Sequence, residues 1–404
     1  MTERALEGVT VIECATTVAA SYASKLMADL GADVIKIETP GTGDPARYAG
    51  PFPGHEPHPE KSGAFLYLNT NKRSVTLNVA TGRGRDTFDR LLPTADVVVH
   101  DYSPRGAEAA GLTYDRIHAL APDLVMTSIF PFGGDGPMRD YEAVDLTLTS
   151  AGGWTWLNGW PQHPEMPPLK PYGTQAAYQG GVNAALATMG ALYGRRRGLA
   201  SGQHVEISIQ ECIAAITELS LPMWSYVETP TVRWGQRPIH PIDVFQCKDG
   251  AWIFVLTIEE HQWERLVELM DTPEWATWEV AANRFVRASN WDALRPFMEE
   301  WVSQWNAADL YHAAQAKRIP FAPVSTLADL VDSPHLKARG FFIEVDHPQA
   351  GKYRHAGAPY QLRGTPWEIR TPAPTLGQHN AEVLGGIGLD TAEIEALSAE
   401  GAAA

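Results

Sequence analysis

The 404-residue sequence predicts an α/β chain, with a large domain built on a parallel sheet and a smaller α+β domain after it. Three observations carry that expectation. Short β-branched runs alternate with segments of helical periodicity over the first third of the chain. The composition, 44% hydrophobic and 20% charged with no low-complexity tract, suits packed cores rather than disorder. Prolines then cluster between Thr229 and Pro241 and the pattern changes, and a chain of this length fits two domains of about 100 to 200 residues each.

Val9 to Cys14 reads as a short buried strand, Tyr22 to Leu30 as a helix, and Val34 to Ile37 as a second strand. Ser74 to Leu77 is β-rich, Thr87 to Leu92 helical, Ala95 to His100 a buried strand, Tyr114 to Ala121 helical, and Leu124 to Ile129 a strand again. Such alternation builds a parallel sheet of the Rossmann-like kind, with helices on both faces. Gln175 to Tyr193 is an Ala-, Leu- and Met-rich helix closed by the turn GRRRGLASG, and HVEISI alternates as a strand after it. A long apolar helix is expected from Gln210 towards Met223. The boundaries are drawn at 1–225 for the large domain and 242–330 for the small one, with 331–404 as an extension packing back on the large domain. In the small domain, VFQCKDGAWIFVL carries the hairpin signal Lys248-Asp249-Gly250, and Trp-rich helices follow.

A formal net charge of −16 opposes nucleic acid and anionic lipid, and no long basic block offsets it locally. An anionic small ligand is still allowed, because a few cations focused in a cleft outweigh a diffuse surface charge at short range. Cys14, Cys212 and Cys247 are odd in number and widely spaced, which implies neither a disulfide framework nor a zinc ribbon and suits a reducing, cytoplasmic setting. No stretch reaches the roughly 18 apolar residues of a membrane span, and the acidic start MTERALEGVTVIE does not resemble a signal peptide.

The common catalytic signatures are absent: no GxGxxG after the first strand, no Walker A sequence, no HExxH and no GxSxG elbow. His55 and His58 in a Pro-rich loop are better read as surface polar residues than as metal ligands, so no metal is expected. Arg195, Arg196 and Arg197 could fork a phosphate but read better as a solvated helix end favoured by the dipole. Cys14 reads as a small buried hydrophobe. Trp154, Trp156 and Trp160 suit either a bulky pocket or core packing.

Eight segments in order, spanning nearly the whole chain, resemble the class III coenzyme A transferases. They are LEGVTVIE, LMADLGADVIKIETPGTGDPAR, LNTNKRSVTLN, ADVVVHDYSPRGAEAAGL, SIFPFGGDGP, SGQHVEISIQE, VFQCKDG and PTLGQHNAEVL. The resemblance implies coenzyme A or an acyl-CoA as substrate with a carboxylic acid as partner substrate, and no bound cofactor. It also implies an interlocked dimer, for which Pro230 to Pro241 and Asp332 to Pro374 would be the extended linkers. By the same resemblance Lys72 and Arg73, just before a strand, match the family's basic pair. Asp101, Tyr102 and Ser103 fall on its adenine and phosphate loop.

In that family an aspartate attacks the donor thioester, and the mixed anhydride is opened by coenzyme A thiolate. Here its position falls on Ala177, or on Ala176 with one more loop residue, and neither can act as a nucleophile. The histidine of the racemase branch is replaced by Val144, beside Asp145. Asp145 is read as structural rather than catalytic, although in a chain working alone an unrecognised carboxylate such as Asp145 would have to serve. Arginines that contact coenzyme A elsewhere in the family are represented by Thr39 and Ala109, and RWGQRPIHP replaces the glycine-rich loop. Three functions are therefore weighed: a subunit paired with an Asp-bearing homologue, a solo enzyme with a displaced catalytic group, and an acyl-CoA-binding protein without catalysis.

Overall fold

The computed structural model describes residues 4–159, 165–217, 220–231, 233 and 239–403. The chain divides into two compact units, one formed by Met1–Asn158, Leu169–Thr231 and Phe341–Ala404, the other by Gly159–Pro168 and Val232–Gly340. The return to the first unit thus begins at Phe341 rather than at 331, because helices occupy Leu327–Asp332 and Pro334–Ala338.

In chain order the first unit runs β1 (Thr10–Cys14), α1 (Val18–Asp29), β2 (Asp33–Glu38), α2 (Gly63–Leu68), β3 (Lys72–Thr76), α3 (Gly82–Leu91), β4 (Val97–His100), α4 (Pro104–Ala110), α5 (Tyr114–Leu120) and β5 (Val125–Phe130). It continues with α6 (Asp145–Ala151), α7 (Trp154–Leu157), α8 (Gln175–Arg196), β6 (His204–Ser208), α9 (Ile209–Ala215) and α10 (Ser220–Val227). The six strands form one sheet in the order β3-β2-β1-β4-β5-β6, and every pairing is parallel. Val11 sits between Val34 and Val97, so β-branched residues stack across the sheet centre, buried on both faces. The order reverses between β1 and β4, and the carboxyl ends of those strands open the crevice in which sheets of this kind bind ligands.

Small residues bring α1 and α8 together. A Cβ on Gly181 would lie 2.8 Å from the carbonyl oxygen of Ala19, so only glycine permits this approach. It sets Tyr178, in the first turn of α8, edge-on to Tyr22 at 4.7 Å between ring centroids. The helix expected from Gln210 towards Met223 is not continuous. It ends at the cap Ile216, where the Thr217 hydroxyl donates to the Ala214 carbonyl, and α10 begins at Ser220.

The second unit contains β7 (Ile242–Gln246), β8 (Trp252–Leu256), α11 (Glu260–Leu269), α12 (Arg284–Ser289), α13 (Trp291–Val302), α14 (Ala307–Ala316), β9 (Ala322–Pro323), α15 (Leu327–Asp332) and α16 (Pro334–Ala338). The β7–β8 hairpin turns at Gly250, whose φ of 80° suits the glycine. Trp263, Trp275 and Trp291 are buried with Leu266, Leu294 and Leu310, so these tryptophans are core residues. The buried Arg287 stacks over Trp263 and pairs with Glu260 at 2.9 Å.

The chain re-enters the first unit as the antiparallel hairpin β10 (Phe342–His347) and β11 (Gly351–Ala356), then α17 (Asn380–Gly386) and α18 (Thr391–Ala399). Asp332 to Pro374 is therefore not an extended linker throughout, since it holds α16 and this hairpin. Within Pro230 to Pro241, residues 232 and 234–238 lie outside the described residues. No helix among the described residues is long and apolar enough to cross a membrane.

Candidate active site

At the carboxyl ends of β1 to β4 lies a cavity of about 580 Å³. Its wall includes Cys14, Thr16, Thr39, Asn78, Tyr102 and Ala109. Beneath it Glu38 and Asp44, also lining residues, join a buried ion network. Lys36 pairs with Glu13 at 2.6 Å and with Asp44, while Arg47 pairs with Glu38 at 2.7 Å and with Glu60 at 2.8 Å. Burial alone would raise the Glu13 carboxyl, but Lys36 and Lys72 hold it below the usual carboxylate range. Gly43, with φ of 73°, leaves room for this packing: a Cβ there would meet Arg47 Cδ at 2.7 Å. These network residues were legible only as charges inside an apolar strand, in DVIKIE, and as the glycine loop GTGDPAR after it. Cys14 lines the cavity with its thiol pushed up by burial, which favours the inert form.

The expected coenzyme A residues fall in different places. Tyr102 lines the cavity, and Asp101 beside it is turned away to close the N-terminus of α1. Its Oδ1 accepts from Thr16 N at 2.6 Å and Thr16 Oγ1 at 2.9 Å, and its Oδ2 from Thr17 Oγ1 at 2.6 Å and from Thr17 N and Ala20 N at 3.1 Å. Burial pushes this carboxyl up, and the hydrogen bonds from Thr17, Thr16 and Ala20 oppose that rise. Ser103 caps α4, accepting from Gly106 N at 3.2 Å.

Lys72 and Arg73 are not before β3 but in it, registered against Val34 and Ile35 at its amino end. They do not line the cavity at the carboxyl ends. Lys72 is buried, and its Nζ donates to Ser21 O at 2.8 Å and Asn69 Oδ1 at 2.9 Å and pairs with Glu13 at 2.7 Å, which uses all three protons. Burial pushes its pKa down to about 8 despite Glu13. Arg73 faces a separate 430 Å³ groove near Arg370 and pairs with Asp33 and Glu382.

The second element of the site is the start of α8. Gln175, Ala176 and Ala177 form its first turn, and the N-cap Thr174 makes no side-chain hydrogen bond. Asp145, from the start of α6, fills that role: its Oδ1 accepts from Ala176 N at 2.8 Å and more distantly from Ala177 N, and its Oδ2 pairs with Lys170 at 2.8 Å. Val144 caps α6 and is exposed. Tyr178 continues through Tyr22 to Tyr67, and Tyr67 to His355, as an aromatic chain that the sequence did not reveal.

The other expected candidates have local partners. Arg195 pairs with Asp96 and donates to Asp123 O at 2.8 Å, and Arg197 reaches the Tyr193 hydroxyl at 3.3 Å. His55 and His58 are exposed, and among the described residues no group of three His, Cys, Asp or Glu side chains could hold a metal ion. Trp156 donates its indole N–H to Thr231 O at 2.8 Å, and Trp160 lies outside the described residues.

Comparison with known proteins accords with this geometry. The chain is 30% identical to a formyl-CoA:oxalate CoA-transferase of Streptomyces avermitilis over 98% of this chain and 99% of that one. It is 28% identical to a succinyl-CoA–L-malate CoA-transferase beta subunit of Chloroflexus aurantiacus, over 94% of this chain and 93% of that one. The crystal structure of a CAIB/BAIF family protein from Brucella suis superposes with a TM-score of 0.85 at 28% identity, covering 96% of this chain and 100% of that one. The model of CoA-transferase family III matches residues 6–380, and the chain belongs to that family.

Proposed function

We propose that this chain is one component of a CoA-transferase that moves coenzyme A between an acyl-CoA and a carboxylic acid, beside a homologous chain that carries the nucleophilic carboxylate. The observation that carries this reading is the first turn of α8. The position matched to the family aspartate holds a methyl group, which has no lone pair to displace the thiolate from a thioester carbonyl. The carboxylate that reaches this turn, Asp145, is committed to backbone amides and to Lys170. The relative named as a beta subunit supports a two-chain enzyme. So do exposed apolar side chains on α8 and α10: Leu186 is 66% exposed, Trp224 58% and Tyr226 86%, surface that suits coverage by a second family chain, interlocked or not. Three buried free cysteines fit a cytoplasmic, reducing setting.

One observation favours a second reading, a chain working alone: Asp145 touches the very turn where the nucleophile belongs. The test is a transfer assay on the purified chain with acyl-CoA donors and carboxylate acceptors, with and without an Asp-bearing homologue. The paired reading expects transfer only in the mixture, retained when Asp145→Asn is used. Transfer by the isolated chain that Asp145→Asn abolishes would establish the solo reading instead.

A further inference from the structure

Coenzyme A carries a 3′-phosphate and a pyrophosphate, and on the CoA-transferase reading above, with Tyr102 matched to the family's adenine loop, its adenosine end belongs in the cavity that Tyr102 lines at the carboxyl ends of β1 to β4. Yet the described lining of that cavity includes no lysine, arginine or histidine, and its charged members are the carboxylates Glu38 and Asp44. The network beneath does not reverse this. It sets four carboxylates, Glu13, Glu38, Asp44 and Glu60, against three cations, Lys36, Arg47 and Lys72, each already paired at hydrogen-bonding distance.

Two cations adjoin wall residues without lining the cavity. Arg85 donates to the carbonyls of Val79 at 3.2 Å and Ala109 at 2.9 Å, and Arg105 pairs with Asp140 at 3.2 Å. The N-terminus of α1, where folds of this order hold a phosphate against the helix dipole, is filled by the chain's own Asp101. What the cavity does offer is apolar and aromatic surface: Ile37, Leu77, Val79 and the rings of Tyr48 and Tyr102. Its volume of about 580 Å³ suits a flat heteroaromatic ring with its sugar.

We infer that this cavity binds the adenosine end of coenzyme A without reading the 3′-phosphate, so that coenzyme A and 3′-dephospho-coenzyme A are held alike, with Thr39 and Ala109 as the positions that set this indifference. Both line the cavity, and neither brings a charge to it. The phosphate is left in solvent, where its interaction with the protein is screened.

The experiment is calorimetric titration of the full chain with each of the two ligands, at low and high salt. Dissociation constants within about twofold of each other, with little salt dependence, are expected. Thr39→Arg and Ala109→Arg, each checked for folding by circular dichroism, should then favour coenzyme A over the dephospho form by about three- to tenfold. Wild-type preference for coenzyme A by about tenfold or more would overturn the inference and leave the proposed function standing. Folded arginine variants that gain no preference would overturn it as well. Binding of neither ligand would remove both the inference and the placement of coenzyme A on which it rests.

Discussion

The N-termini of α1 and α8 are both closed by an aspartate from elsewhere in the chain, but they are closed differently. Asp101 is buried and meets the end of α1 with three amides and two hydroxyls and no cation, so burial keeps its carboxyl above the usual range. Asp145 meets the end of α8 through its amides and is balanced by Lys170, in a pair whose side chains are 21% and 11% exposed. The first closure is dry and wholly internal, and admits no ligand anion. The second is an ion pair at the edge of solvent, beside the turn proposed above to match the family's nucleophile position. One helix end is closed without a counter-charge, while the other is closed by a carboxylate that a lysine balances.

Asp101→Ala strikes the dry closure and should have the largest effect. It removes the carboxylate that the amides of Thr16, Thr17 and Ala20 and two hydroxyls donate to, a loss of about 3 kcal/mol or more in urea unfolding. Asp101→Asn should be milder and should alter the pH profile. Because the folded pKa is raised, the aspartate's contribution is present below the unfolded value and is lost as pH rises through the folded one, so the asparagine variant should lack that decline.

Lys72→Met tests the buried ion network beneath the cavity, and should cost about 3 kcal/mol near neutral pH by leaving Glu13 underpaired. Lys72 loses its proton near pH 8 when folded and only near 10.4 when unfolded, about the ordinary lysine value. Over that window the unfolded chain binds more protons, so wild-type stability should gain a rising component with pH that Lys72→Met removes. Asp145→Asn keeps an acceptor for the α8 amides and gives up the Lys170 pair, for an expected loss of about 1 kcal/mol. Arg73→Ala, next to Lys72 but half out in solvent, should cost about 0.5 kcal/mol in the same unfolding assay.

The parallel sheet was legible because β-branched runs such as Val97 to Val99 are buried on both faces and alternate with helices. The break between α9 and α10 was not, since the apolar spacing on either side of Thr217 is continuous and a hydroxyl competing for a carbonyl leaves no periodic trace. In the site, the proposed loss of the nucleophile rests on the matched motifs, which set Ala177 or Ala176 at the family aspartate's position, and Asp145 reads as hydrogen-bonded to loop amides, as it is to Ala176 N. The role of Lys72 could not be read in this way. A basic residue beside a strand looks the same whether it faces a ligand or turns inward to Glu13, and only the register of β3 against β2 separates the two. Asp101 was misleading for a similar reason: a carboxylate following a buried strand sits at a ligand crevice by topology, yet it can equally cap the neighbouring helix.

The central claim is that the chain carries no nucleophile of its own at the start of α8, and intact-mass spectrometry tests it most directly. The purified wild-type chain and Ala177→Asp would each be mixed with an acyl-CoA donor and quenched within the first turnover, with and without hydroxylamine. The account predicts no added mass on the wild-type chain under either condition. In Ala177→Asp it predicts a hydroxylamine-sensitive adduct on the new carboxylate, which stands in the first turn beside Asp145. A hydroxylamine-sensitive acyl or coenzyme A adduct on any carboxylate of the wild-type chain would contradict it.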